Sequence, residues 1–190
     1  MILPIVKYGS PVLRQRGAKI ESLTPEIKKL IADMFETMHE NHGVGLAAQQ
    51  VGRAVQLTVI DVREVKDRPS WLEIGGQPAD VNDLMPLVLI NPEVTPAGQP
   101  LKGSEGCLSF PEIYAEITRP ETVDVQALDA KGNPFAFRCG GLLARAVQHE
   151  TDHLNGLLFI DRMEKKVKLE LQPELDELQA KTKAEMQQKK

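Results

Sequence analysis

From Ile27 onward, apolar residues recur at steps of three and four, at Ile27, Leu30, Ile31, Met34, Phe35 and Met38. That spacing marks one face of a helix. Thr24-Pro25 just before it has the chemistry of an N-cap followed by a first-turn proline, and Asn41-His42-Gly43 has that of a stop. The pattern predicts an amphipathic helix facing a core. Strand-like runs follow at 56–61, 87–91, 113–118, 122–128 and 135–138. Asp129-Ala130-Lys131-Gly132-Asn133 between the last two carries hairpin chemistry, so those strands are expected to pair antiparallel. A second helical pattern starts at Leu142. Leu142, Leu143, Ala146, Val147 and Leu154 share one side with His149, Glu150 and His153, while Arg145, Gln148, Thr151, Asp152 and Asn155 fall on the other.

Three stretches fit neither period. Residues 43–52 are too glycine-rich for a helix interior and too apolar for an exposed linker, so a buried loop is expected. Residues 62–86, with Pro69, Gly75-Gly76 and Pro78 around Trp71, read as a long surface excursion. From Lys165 the chain is mostly charged and amide residues with a weak apolar pattern at Leu169, Leu171, Leu175 and Leu178. This divides the chain into a domain over 1–164 and a C-terminal helix or frayed charged tail over 165–190.

Composition narrows the function classes. At 190 residues, 42% hydrophobic and 26% charged, the chain is an ordinary single-domain globular sequence. No run approaches about 18 apolar residues, and residues 1–6, interrupted by Pro4, lack a basic region and cleavage site, so neither membrane insertion nor export is expected. The net charge of −4 gives no broad attraction to phosphate and argues against sequence-specific nucleic acid as a partner. Cys107 and Cys139 are read as reduced thiols or a metal ligand in the cytoplasm.

The chemistry concentrates in His149-Glu150-Thr151-Asp152-His153, an H-E-x-x-H sequence. On a helix its two imidazoles lie on one face, able to grip one metal ion with the glutamate beside it. A catalytic ion needs a third protein ligand and an open position. Phe159 stands where a metzincin would place its third histidine, which excludes that family. Glu170, Glu174, Cys107 and Cys139 are the candidates, and the cysteine spacing matches no compact zinc finger. A peptidase using Glu170 or Glu174, and a non-catalytic metal-binding or peptide-binding module with four protein ligands, are the competing classes. His39 and His42 are read as ordinary helix-end residues.

Three separated motifs, Gly43-Val44-Gly45-Leu46-Ala47-Ala48-Gln49-Gln50, Glu105-Gly106-Cys107-Leu108-Ser109 and Gln148-His149-Glu150-Thr151-Asp152-His153-Leu154, resemble the peptide deformylase family in kind and order. The resemblance covers roughly residues 11–161, with Gln49 where the family usually has proline. It implies an α+β fold, with antiparallel sheets packed around a central helix carrying H-E-x-x-H. It implies a hydrolase that removes the formyl group from the initiator methionine of nascent chains. Cys107, His149 and His153 would be the metal ligands, with Glu150 as general base and acid. Gln50 and the backbone N–H of Leu108 would be donors to the formyl oxygen. Val44, Leu142 and Ala146 would form the methionine pocket, and the Gly45 backbone would pair with the peptide. Arg119 and Asp152 match family positions that would support the site from behind. The implied cofactor is one divalent ion, Fe²⁺ natively, with Zn²⁺ or Ni²⁺ in a purified sample. The implied partners are N-formylmethionyl nascent peptides and, transiently, the ribosome.

Overall fold

The fold is that of a computed structural model describing residues 1–189. Helix α1 (Pro25–Glu40) starts where Thr24 accepts a hydrogen bond from the Ile27 N–H through its side chain, and it buries Ile27, Leu30, Ile31, Met34 and Met38. Strand β1 (Gly45–Ala47) runs into a 3-10 turn at Ala48–Val51, and β2 (Leu57–Ile60) follows. Residues 43–52, expected as a buried loop, therefore carry a short strand. Gly43 precedes this strand, Gly45 is its first paired residue, and Gly52 ends the 3-10 turn that follows it.

The excursion is also structured. β3 (Ser70–Ile74) and β4 (Gln77–Ala79) form a hairpin around Gly75-Gly76, followed by one helical turn, α2 (Val81–Leu84). β3 pairs with the distant β7 (Pro134–Gly141), an attachment that local patterning cannot register. β5 (Leu87–Cys107) and β6 (Phe110–Leu128) form one long hairpin closed by Leu108 and Ser109. The expected short strands continue through Pro92 and Pro100 because the pairing shifts register at these places, and such bulges absorb residues that break a regular ladder, whereas Pro96 stays in register opposite Val123. All strands join one antiparallel seven-stranded sheet, in the order β1-β2-β5-β6-β7-β3-β4.

Successive strand residues point to opposite faces. Leu57, Val59, Val88 and Ile90 pack with α1, whereas Ile60, Leu87 and Leu89 pack with α3 (Leu142–Leu154). Every residue of α3 is buried, which corrects the expected polar outer side. Arg145, Gln148 and Asp152 face β5 and β6 rather than solvent, donating to or accepting from Leu101, Ile117, Arg119 and Pro120. Helix α4 (Lys165–Gln188) is anchored by buried Leu175 in a third cluster with Phe110, Ile117 and Phe159. Thr182 is also buried, and Lys190 lies outside the described residues. Among the described residues no helix is long and apolar enough to cross a membrane.

Candidate active site

α3 holds His149, Glu150 and His153, and the end of β5 brings Cys107 to them. The possible donor atoms of Cys107, His149 and His153 all lie within 4.8 Å of one another. Cys107 Sγ is 3.3 Å from His153 Nε2. His149 Nδ1 lies 2.9 Å from Glu105 Oε1, a pairing that fixes the ring and turns Nε2 to the cluster. Burial pushes His153 well below the usual imidazole range, which keeps a nitrogen lone pair free. His153 Nδ1 is buried with no hydrogen-bond partner among the described residues. One sulfur and two imidazole nitrogens this close suit a single divalent ion of borderline softness.

The other ligand candidates lie elsewhere. Cys139 is fully buried in the apolar cluster against Val123 and Leu143, and burial pushes its thiol up to about 12. Glu170 and Glu174 are exposed on α4 and outside the cluster.

Glu150 stands beside the metal-ligand candidates. Burial pushes its carboxyl up to about 7, close to the pH at which a proton acceptor and donor serves best. Its Oε2 has no partner among the described residues. A Cβ on Gly45 would fall 2.5 Å from Glu150 Oε1 and 2.7 Å from its Cγ, so glycine at 45 makes room for this side chain. Gln50 is turned by the Ala47 N–H, which donates to its Oε1 at 2.9 Å. Its Nε2 then points at Ser109 Oγ (3.2 Å) and Cys107 Sγ (3.4 Å). Beside these groups opens a cavity of about 510 Å³. Val44, Gly45, Gln50, Cys107, Leu108, Leu142, Ala146, His149 and Glu150 all line it, and so do Lys7, Arg68 and Tyr114, which the sequence did not single out.

Behind the cluster lies a buried ion network. Glu105 accepts from Arg119 Nε at 2.7 Å, Arg119 Nη2 at 2.9 Å and Arg145 Nη1 at 2.8 Å. Arg119 Nη1 also donates to Asp152 at 2.9 Å, and Asp152 accepts from Arg162 at 2.8 Å. Burial alone would push Glu105 up, but His149 and Arg119 hold it well below the usual carboxylate range. A permanently ionised Glu105 orients His149. The sequence placed Arg145 on the wrong side of its helix and gave Glu105 no task. A glutamate two residues ahead of a ligand candidate was the available signal.

A family model described as polypeptide deformylase matches residues 2–169. The peptide deformylase of Opitutus terrae is 44% identical over 186 residues, covering 97% of this chain and 96% of that one. The crystal structure of a plant peptide deformylase superposes with a TM-score of 0.82 at 36% identity, over 96% of this chain and 92% of the other. That of a peptide deformylase from Synechococcus elongatus, in complex with actinonin, gives 0.75 at 39% identity, over 95% and 85%.

Proposed function

This chain belongs to the polypeptide deformylase family, hydrolases that remove the formyl group from the amino termini of nascent polypeptides, and on that premise we propose how its own residues divide the reaction. Cys107, His149 and His153 hold one divalent ion, natively Fe²⁺, with Zn²⁺ or Ni²⁺ expected in a purified sample; the donor set suits all three. When bound, such an ion would supply Lewis acidity and make water far more acidic, and so a better nucleophile, near neutral pH.

Glu150 accepts the proton of the attacking water through its unpartnered carboxylate oxygen, and later delivers it to the departing methionine nitrogen. The observation that carries this reading is the position of Glu150, buried beside the three ligand candidates, against Gly45 and at the cavity wall. As the water adds to the formyl carbon, negative charge develops on the formyl oxygen. The Gln50 Nε2 and the Leu108 N–H donate to it, and a single donor of this kind contributes on the order of 3 kcal/mol to the transition state.

The peptide lies along the outer edge of β1, whose other edge pairs with β2, so that the Gly45 backbone extends the sheet by one strand. Methionine enters the cavity between Val44, Leu142 and Ala146. Residues 1–164 contain every group in this scheme. A substrate that is a nascent chain supports a cytoplasmic location and transient contact with the ribosome.

Glu150→Gln tests the assignment, because the amide is nearly isosteric but accepts no proton. We expect unchanged metal content and a fall in kcat of about 10²–10⁴-fold in formate release from a formyl-methionyl peptide. Full turnover by a metal-loaded variant would refute it.

A further inference from the structure

The turn that closes the β5–β6 hairpin consists of Leu108 and Ser109, and residues 6–8 lie against it. Lys7 Nζ donates to the Leu108 carbonyl at 2.8 Å, and the Tyr8 N–H donates to the Ser109 carbonyl at 2.9 Å. One residue earlier, the Val6 N–H donates to the Gln50 carbonyl at 2.8 Å. The Tyr8 ring stacks on Phe110 with centroids 4.8 Å apart. Three consecutive residues thus bridge the two segments that carry the donors assigned to the formyl oxygen. The Tyr8 and Val6 bonds use backbone N–H groups that almost any residue would supply. The Lys7 bond alone depends on its side chain. Lys7 is half-buried, lines the cavity and makes its one side-chain hydrogen bond among the described residues here, to a carbonyl 101 positions away.

We propose that Lys7 is a positioning residue for deformylation: by holding the Leu108 carbonyl it fixes the hairpin turn so that the Leu108 N–H and the Gln50 amide converge on one oxygen. This rests on the donor roles given to Gln50 and Leu108. Ser109 is held by the Tyr8 N–H and by Gln50, whereas the Leu108 carbonyl is held by Lys7. The Leu108 N–H and carbonyl lie in successive peptide planes joined at the Leu108 Cα, so a released carbonyl lets that Cα shift and carries with it the N–H that must meet the developing charge. Misplacement by 1 Å can cost about 100-fold in rate, so a shift of a few tenths of an ångström is worth about tenfold.

Lys7→Met keeps the hydrocarbon stem and loses the donor. In metal-loaded protein we expect kcat to fall about tenfold, KM to stay within about twofold, and metal content and melting temperature to be nearly unchanged. Lys7→Arg, which can still reach the carbonyl, should recover activity to within about threefold of the parent. Lys7→Gln, too short to reach it, should behave as Lys7→Met and serves in its place if the methionine variant does not fold. Gln50→Ala is measured in parallel, and the Lys7→Met/Gln50→Ala double variant should lose less than the product of the two single losses.

Full kcat in Lys7→Met and Lys7→Gln, alongside a loss of about 100-fold in Gln50→Ala, would overturn the role of Lys7 and leave the donor assignment standing. Full kcat in Gln50→Ala would overturn the donor assignment itself. Strictly multiplicative losses, or an Lys7→Arg variant as slow as Lys7→Met, would show that Lys7 does not act through this turn.

Discussion

Replacing Gly45 by alanine adds one methyl group, and the structure states where it would go. The new Cβ would lie 2.5 Å from Glu150 Oε1, 2.7 Å from its Cγ and 2.8 Å from its Cδ. Ordinary contact begins near 3.4 Å, so the carboxylate must retreat by about 0.9 Å. Because Cγ is crowded as well as the oxygen, rotation of the carboxylate alone does not relieve the clash. Glu150 sits on a helix buried on every side, so the backbone cannot yield instead. A displacement near 1 Å of a proton-transfer group corresponds to about 100-fold in rate, or roughly 2.7 kcal/mol of activation free energy. The three heavy atoms nearest the added methyl all belong to Glu150, so the clash falls first on this side chain rather than on the metal-ligand candidates. Alanine also restricts the unfolded chain by roughly 0.5–1 kcal/mol relative to glycine, which offsets part of the strain. The expected variant is a folded, metal-loaded protein with kcat reduced about 30- to 100-fold and KM within about threefold. Formate release from a formyl-methionyl peptide, metal analysis and a thermal melt measure all three quantities. Parental kcat in such a protein would refute the claim that the position of Glu150 governs turnover.

The two cysteines should part company: Cys107→Ala loses metal affinity and activity together, while Cys139→Ala keeps both and loses about 1 kcal/mol of stability through the small cavity it leaves. Metal content and melts of the two variants decide this. Glu105→Gln leaves Arg119 and Arg145 facing a neutral amide, so it should cost about 3 kcal/mol of stability and lower metal affinity about 10- to 100-fold as His149 loses its orienting charge; denaturant titration and a chelator competition check the two effects. Gln49 is fully buried, its Oε1 has no partner among the described residues, and its Nε2 reaches two carbonyls only at 3.4 Å. Gln49→Met, of similar volume, should raise stability by about 1 kcal/mol, or roughly 2–4 °C in melting temperature, with kcat unchanged.

Legibility from sequence follows the range of the interactions. Helix α1 was readable because Thr24, Pro25 and the apolar steps from Ile27 to Met38 all act within a few residues of one another. His149, Glu150 and His153 were readable for the same reason, since one helical turn brings them together. Continuity of β5 and β6 was not, because Pro92 and Pro100 are breakers unless the pairing shifts register beside them, and Pro96 reads as a third breaker although it pairs in register with Val123. Arg145 and Asp152 were misplaced because periodicity sorts residues by polarity, and only the arrival of Glu105 and Arg119 from other strands makes a polar side burial-competent. Lys7 carried no signal at all. A lysine near one end of a chain reads as solvated until the carbonyl of Leu108 is brought to it.

The Leu108 and Ser109 turn has a consequence for how the chain reaches its working state. The hairpin it closes can zip from that tip outward, and α3 needs only its own residues, so both belong to the early, local part of folding. The proposed proton transfer and oxygen recognition, in contrast, draw on Lys7, Gln50, Cys107, Leu108 and His153 within one small volume, and the contacts of Lys7 with Leu108, Gln50 with Cys107 and Cys107 with His153 span 101, 57 and 46 residues. Each closure removes freedom that local contacts cannot restore. Regular secondary structure therefore precedes competence, and on the proposed roles full turnover waits until residues 6–8 have docked on the tip of the longest hairpin.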